Sequence, residues 1–286
     1  MKTDPQARRH RPHRRRLGTS VAIALVIGMG LVGLMPIYWM VVTAFETPNE
    51  ALNTPPDWFP THWTLTNFRL ALNAEPLLRM LANSLEVTGI IVIGSLLVGS
   101  LAAYAFARVR FRGSGILFGV LLGGIMVPAQ VAVVPVFVVM RELHLLNQLA
   151  SVYLPALINV VVIFLLRQYI VSIPRDLDEA ATIDGAGHFT IWWRIIFPLT
   201  RPALMAAAIF VGTVYWNDFF WPSVFLSSPS RMTVPVGLVT LQSETGGGES
   251  VTVIFAAIVM VVLPIAALLL TCQRYLVRGI AIAGSH

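Results

Sequence analysis

Six uncharged apolar runs punctuate the chain, at 17–45, 87–107, 113–140, 143–166, 202–230 and 250–273, the fifth interrupted once by Asp218. Each contains the roughly 20 apolar residues that an α-helix needs to cross about 30 Å of hydrocarbon. None shows the ten-residue alternation of a membrane β-strand. Lipid tolerates only helices and closed barrels. The pattern therefore predicts an all-α integral membrane protein with six transmembrane helices.

Composition closes off the soluble alternatives. Of 286 residues, 56% are hydrophobic and 12% charged, against about a quarter charged in a soluble domain. The same enrichment excludes a disordered chain. A single cysteine, Cys272, leaves no disulfide framework and no thiolate metal site within the chain. Lys2 is the only lysine, and a Walker A loop needs a lysine after its glycines to reach phosphate. HExxH and GxSxG are absent. The chain is therefore not expected to hydrolyse nucleotide by the Walker A route itself, and these motifs offer no catalytic residue and no metal site; the leading reading is not an enzyme.

Orientation follows from the basic residues. With the N-terminus inside, the cytoplasmic segments hold 16 of the 20; Arg69, Arg79, Arg141 and Arg231 lie outside. Cytoplasmic segments carry the arginine and lysine excess, so both termini are expected inside. The arginine-rich tail at 1–16 is then a topology signal attracted to anionic lipid, not a nucleic-acid surface, since no fold presents it to a duplex. It also resembles a twin-arginine export signal, but the run behind it far exceeds the roughly 7–15 apolar residues of a cleaved leader. Residues 17–45 read as a first, uncleaved membrane helix.

Two motifs mislead. Gly28-Met29-Gly30-Leu31-Val32-Gly33 matches a dinucleotide fingerprint, yet it lies inside an apolar span with no strand before it. Small residues permitting close helix approach explain it better, as they do Gly119 and Gly123. Asp176-Leu177-Asp178 has the DxD form that holds a divalent metal in membrane glycosyltransferases. The competing explanation is a helix start, with Asp176 as N-cap and Glu179 completing a capping box.

The longest cytoplasmic segment lies between the fourth and fifth runs, and within it residues 173–202 are not loop-like. Asp176 can start a helix through Ile183, Gly185 can take the positive φ that ends it, and a second helix can run from His188 to Ile196. Pro198 and Pro202 stop that helix and begin the next span. Ala180, Ala181 and Gly185 keep one surface small; Asp176, Asp178, Glu179 and Asp184 make it acidic. The element has the character of a docking device.

Glu179-Ala180-Ala181, three residues, Gly185, nine residues and then Ile195-x-Phe197-Pro198 resembles the EAA motif of membrane subunits of binding-protein-dependent ABC importers. Phe197 stands where that family usually has leucine. Asn83-Ser84, the stretch from Leu101 to Arg108, Trp216-Asn217-Asp218 and the ending from Arg274 to Gly279 are similar too. Together they resemble the carbohydrate-importer branch, in its maltose-transporter G-type permease, over roughly residues 20–280.

The resemblance implies a basic cytoplasmic tail at 1–16, a transmembrane domain at 17–280 with its EAA coupling segment near 173–202, and a C-terminal tail at 281–286. Glu179, Ala180, Ala181, Asp184 and Gly185 would couple to the ATPase, and Trp216, Asn217 and Asp218 are candidates for the substrate pathway. The chain itself would bind no cofactor, ATP and magnesium belonging to partner subunits. Its partners would be a second permease subunit in a heterodimer, two ATP-binding subunits, an extracytoplasmic solute-binding protein and membrane lipid, with no nucleic acid. The location would be the bacterial cytoplasmic (inner) membrane. Apart from the resemblance, the extracytoplasmic position and length of the segment 226–249 have two explanations: it faces the binding protein with Gly246-Gly247-Gly248 at its tip, or it is an ordinary flexible outer loop. Two rival readings remain at this point: an ion-coupled secondary transporter, and the DxD glycosyltransferase. The first usually places ionisable residues at the bilayer midplane, where this chain has almost none.

Overall fold

Every regular element among the described residues is helical. The computed structural model describes residues 13–55, 57–74, 77–244, 251–264 and 266. In chain order the helices are α1 (His13–Phe45), α2 (Thr66–Ala74), α3 (Leu77–Arg108), α4 (Ser114–Gly123), α5 (Val133–Glu142), α6 (Ala150–Ala156) and α7 (Val160–Ser172). There follow α8 (Asp176–Ile183), α9 (His188–Ile191), α10 (Phe197–Leu199), α11 (Arg201–Trp216), α12 (Phe220–Phe225) and α13 (Val234–Glu244). The last is α14 (Val251–Pro264).

The chain divides into two units. One comprises the described parts of Met1–Leu70 and Thr245–Val259. Here the large apolar side chains of α1 between Ile23 and Ile37 are exposed within the chain itself, which suits a helix whose solvent is hydrocarbon. Its end is anchored: Asn67 Nδ2 donates to the carbonyls of Ala44 (3.0 Å) and Glu46 (2.7 Å), and Asn67 Oδ1 accepts from Thr252 (3.1 Å). Glu50 ties the following connection together by accepting from Thr61, from the His62 N–H and from Thr47. These bonds hold its carboxyl down at about 2. Trp58, Phe59 and Trp63 remain exposed beside it, the composition of an interfacial aromatic belt.

The other unit comprises the described parts of Ala71–Glu244 and Met260–His286, and α3 is its spine. Val87, Ile91 and Ala103 of α3, Val162, Leu166 and Ile170 of α7, and Leu204, Ala207 and Val211 of α11 form one buried cluster. Close approach of α3 to the sixth and seventh helices depends on glycine. A Cβ on Gly99 would come within 2.7 Å of Val162, and one on Gly94 would collide with Leu157. By contrast a Cβ at Gly28, Gly30, Gly33, Gly119 or Gly123 would meet nothing within 4 Å. Among the described residues, the small residues singled out from sequence make no close helix contact.

Three helices are long and apolar enough to cross a membrane alone: Ala22–Phe45, Leu77–Arg108 and Ala150–Ser172. Counting each bent pair as one span gives five among the described residues. The expected third span is one of these pairs, Ser114–Met126 and Ala129–Glu142, bent by 96°. Pro128 explains the break. It has no N–H to donate, and it holds Val127 extended (φ −86°, ψ 118°). The fourth span starts later than the apolar run and carries Arg167 inside α7, its guanidinium 4.4 Å from the centre of the Phe118 ring. The run at 202–230 is not one helix either: α11 ends at Trp216 and α12 begins at Phe220. Of the expected sixth span, 250–273, the described residues reach Pro264 and 266.

Side-chain clamps fix the connections that follow. Asn147, itself at positive φ (58°), accepts from the N–H groups of Ser227 (3.1 Å) and Ser228 (3.0 Å) through Oδ1 and donates to Ser228 Oγ (2.7 Å). Asn83 donates to the carbonyls of Ser230 and Met232, and Ser84 Oγ accepts the Val234 N–H that opens α13. The segment after Leu226 is thus largely helical and pinned to α3, while Gly246-Gly247-Gly248 lies outside the described residues.

A candidate coupling segment and pathway residues

Residues 173–200 fold as helix, glycine turn, helix. Ile173 is extended (ψ 134°) ahead of Pro174, as a residue before proline should be. α8 follows with Asp176, Asp178 and Glu179 in its first turn, where acids complement the positive end of the helix dipole. Arg175, not Asp176, holds the N-cap position, and no side-chain cap bond forms there. The expected capping box is therefore not made. Pro174 lets the chain enter helical geometry one residue early, so both acids fall inside the turn.

The end of α8 agrees with expectation in detail. Gly185 has φ 83°. Its N–H reaches the Thr182 carbonyl at 3.0 Å, and the Ala186 N–H reaches Ala181 at 2.9 Å. This pair of reverse bonds is the Schellman motif, which satisfies carbonyls the helix leaves open and needs a left-handed residue. After α9, residues Trp192–Ile196 widen into a π-helical turn. Pro198 cannot donate the bond that an α-turn would require of it, and the wider turn accommodates its ring. The His188–Leu199 stretch then meets Arg201–Trp216 at 76°.

What anchors this segment is the end of α3. Arg108 Nη2 donates to the Ile173 carbonyl at 2.7 Å, and its Nε lies 2.8 Å from Asp178 Oδ2. The arginine side chain is 5% exposed and the aspartate 16%. The Nε–H is turned off the line to the carboxylate, so this contact is charge attraction more than a directed hydrogen bond. Burial pushes the Asp178 carboxyl above the usual carboxylate range, and Arg108 and Arg175 only partly pull it back. One turn earlier on α3, Tyr104 Oη lies 3.3 Å from His188 Nδ1. An open hollow of 610 Å³ runs between the two parts, lined by Arg108, Arg110, Arg175, Asp178, Glu179 and His188 among others.

The sequence-derived coupling residues distribute unevenly. Glu179, Ala180, Asp184 and Gly185 are exposed, and Ala181 is half-buried against the core. Ile183 (87%) and Phe189 (67%), flanking the glycine turn, are exposed apolar side chains. Asp178 faces Arg108 while Asp176 is exposed, so the DxD pair is not a converging metal-ligand set. Sequence reading missed Arg108, Tyr104 and His188 as a group, because their partners lie about 65–84 residues away along the chain. In sequence, Arg108 stands out only as a topology charge and as the end of the Leu101–Arg108 stretch that resembles the family.

Trp216, Asn217 and Asp218 sit where α11 stops. Trp216 is buried (6%) and borders an apolar hollow of 300 Å³ between α3 and α11, lined also by Leu85, Val92, Met205 and Ile209. Asn217 is exposed, with Nδ2 donating back to the Thr213 carbonyl at 2.8 Å. Asp218 Oδ1 accepts the Phe220 N–H at 3.0 Å, starting α12, while Oδ2 is buried without a hydrogen-bond partner among the described residues.

Comparison with known proteins agrees with this architecture. Residues 95–282 match the family model described as binding-protein-dependent transport system inner membrane component. The arabinooligosaccharides transport system permease protein AraQ of Halalkalibacterium halodurans is 32% identical over 259 residues, covering 90% of this chain and 92% of the relative. The diacetylchitobiose uptake system permease protein DasC of Streptomyces coelicolor is also 32% identical, with 90% and 92% covered. The sn-glycerol-3-phosphate transport system permease protein UgpE of Yersinia enterocolitica is 29% identical, with 94% and 97% covered. Among solved structures, a bacterial ABC transporter involved in the import of the acidic polysaccharide alginate superposes with TM-score 0.83 at 25% identity, covering 93% of this chain and 98% of that one.

Proposed function

The chain belongs to the family of binding-protein-dependent transport system inner membrane components, and on that premise we propose that it forms half of an ATP-driven import pathway for a sugar or oligosaccharide. Energy comes from two separate ATP-binding subunits, which carry the ATP and magnesium. The other half of the pathway is a second, non-identical permease, and cargo arrives on an extracytoplasmic solute-binding protein. Both termini and the 173–200 segment lie on the cytoplasmic side. The cargo class rests on what the relatives carry, arabinooligosaccharides and diacetylchitobiose among them.

The observation that carries the coupling role is the exposed tip of the helix–glycine–helix element. Ile183 and Phe189 present apolar surface on either side of a rigid turn, rimmed by Glu179 and Asp184. A small apolar knob with a charged rim is what a protein groove takes up. When the ATPase pair closes, force on that knob passes through Arg108 and Tyr104 into α3, and so to the helices packed on it. Such coupling needs a physically continuous element biased from both ends, and the contacts of Arg108 with Asp178 and the Ile173 carbonyl support the continuity.

The test is co-purification of the tagged, full-length permease with its ATPase chains, followed by uptake in proteoliposomes containing the binding protein. Stoichiometric ATPase chains and ATP-dependent sugar uptake are expected. Ile183→Asp should release the ATPase chains, since it places a charge in the apolar contact. Gly185→Val has open space around it but the wrong φ, so it strains the turn by about 1 kcal/mol or more and should weaken attachment or uncouple hydrolysis from uptake. Uptake driven by an ion gradient without ATPase chains would return the secondary transporter. Normal uptake in both variants would take the coupling role away from this segment.

A further inference from the structure

Five arginines meet around one open hollow of 630 Å³ at the foot of α3: Arg108, Arg110, Arg112, Arg167 and Arg175, with Ser114 between them. No acidic side chain lines it. Arg108 is committed to Asp178 and the Ile173 carbonyl, while the other four form no ion pair with any described acid. Arg167 is held in position by the Phe118 ring and by a 3.4 Å bond from Nε to the Phe106 carbonyl. Arg110, Arg112 and Arg175 are exposed, and Arg110 and Arg175 also border the hollow that holds Asp178 and Glu179. Asp178 and Glu179 answer part of this charge from the neighbouring hollow, but five like charges around one hollow that no acid lines still repel one another. An anion in the hollow removes that repulsion, and guanidinium groups bind phosphate oxygens in paired hydrogen bonds.

The surroundings indicate which anion. The hollow opens where the 109–113 turn joins two apolar helices, so it lies at the level where a bilayer changes from hydrocarbon to headgroup. Immediately along α4, Ile116, Leu117 and Val120 are exposed at 77%, 53% and 68%. A phosphate in the hollow would therefore have apolar surface beside it for the acyl chains attached to it. A free phosphate gains nothing from that surface; a phospholipid uses both parts. Basic pockets between membrane helices on the arginine-rich side are known to suit such headgroups.

We propose that this hollow binds the phosphodiester headgroup of an anionic phospholipid, with Arg112 and Arg175 as principal ligands, Arg110 and Arg167 supporting, and the acyl chains lying against α4. Because Arg175 is the N-cap residue of α8, a bound headgroup touches the root of the coupling segment. The site is separate from the arginine-rich tail at 1–16, and the inference depends on the chain lying in a membrane, not on its cargo.

The test uses the full-length chain, purified and stripped of lipid, with binding followed by native mass spectrometry. Phosphatidylglycerol, phosphatidylcholine and inorganic phosphate are titrated separately and in competition. Phosphatidylglycerol should bind at one saturable site, and Arg112→Gln with Arg175→Gln should weaken it about 25-fold, from roughly fivefold for each basic residue removed. The pair Arg112→Lys and Arg175→Lys keeps the charge but not the paired hydrogen bonds and should bind between wild type and the glutamine pair, which separates charge loss from misfolding. Arg141→Gln with Arg231→Gln removes equal charge elsewhere and should change nothing. Equal affinity in the glutamine pair, or phosphatidylcholine binding as tightly as phosphatidylglycerol, would overturn the proposal. Displacement of the lipid by inorganic phosphate at comparable concentration would instead assign the hollow to a free anion, and the lipid site would fall.

Discussion

The ion pair between Arg108 and Asp178 shows how a single residue can hold an element to its neighbour without much net stabilisation. Two buried charges offset each other's desolvation, and a hydrophobic pair could do nearly as well. Removing one partner is different. Arg108→Gln leaves a carboxylate 16% exposed with only the exposed Arg175 near it, and Asp178→Asn leaves a guanidinium 5% exposed without its carboxylate. Either change should cost about 3–5 kcal/mol, and the double variant clearly less than their sum. Thermal unfolding of the detergent-solubilised chain, run as a double-mutant cycle, measures this; simple additivity would mean that the pair does not couple. The pH dependence has a definite sign. Burial raises the Asp178 carboxyl in the folded chain, so the stability it contributes is full below its unfolded value and is lost as pH rises through the raised one. Asp178→Asn should flatten that slope.

At the scale of elements, polar clamps decide where helices start and how connections lie. Asn147 holds two consecutive N–H groups and occupies the left-handed region. Asn147→Gly loses the side-chain bonds but tolerates the backbone, whereas Asn147→Ala loses both. Alanine should therefore be worse than glycine by roughly 1 kcal/mol, read as faster proteolysis of the 226–233 connection. Equal loss would mean that only the side-chain bonds matter. This clamp was not legible in the sequence, because it joins positions 81 residues apart. Local signals were legible where the determinant is local. The spacing from Asp176 to Gly185 indicated a helix ended by a positive φ, and the structure has it. The break at Pro128 was equally local but was read through, since uninterrupted hydropathy outweighed one proline in a 28-residue run. The capping box failed by one residue, a resolution that spacing alone does not reach.

Across the whole molecule, hydropathy identified the class, and the resemblance in the EAA stretch led to the family. What neither could say is how the end of α11 is used. The three residues there have separate tasks. Trp216 packs into apolar surface, Asn217 folds back on its own helix, and Asp218 starts α12 with one oxygen while the other is buried without a hydrogen-bond partner among the described residues. The Trp221 backbone N–H also lies close to this carboxylate, but Oδ2 forms no hydrogen bond among the described residues. A buried acceptor left open calls for a donor, and a polyhydroxylated cargo is rich in them. The expectation is that Asp218 Oδ2 accepts a cargo hydroxyl and that Trp216 shapes the wall behind it. Substitution separates the two oxygens. Asp218→Ser keeps an acceptor for the Phe220 N–H, as serine does at helix starts, but has no second oxygen. Asp218→Asn keeps both positions without the charge, and Asp218→Ala removes everything, including a helix start whose loss costs about 1 kcal/mol. If the residue only starts α12, serine and asparagine should transport normally per assembled complex, with alanine merely lowering assembly. Contact with cargo gives another result: serine and alanine should both slow uptake per complex, asparagine should fall between them and wild type, and ATPase stimulation by the binding protein should persist in all three. Loss of that stimulation together with uptake would place Asp218 in the transmission of closure instead, and not in contact with the sugar.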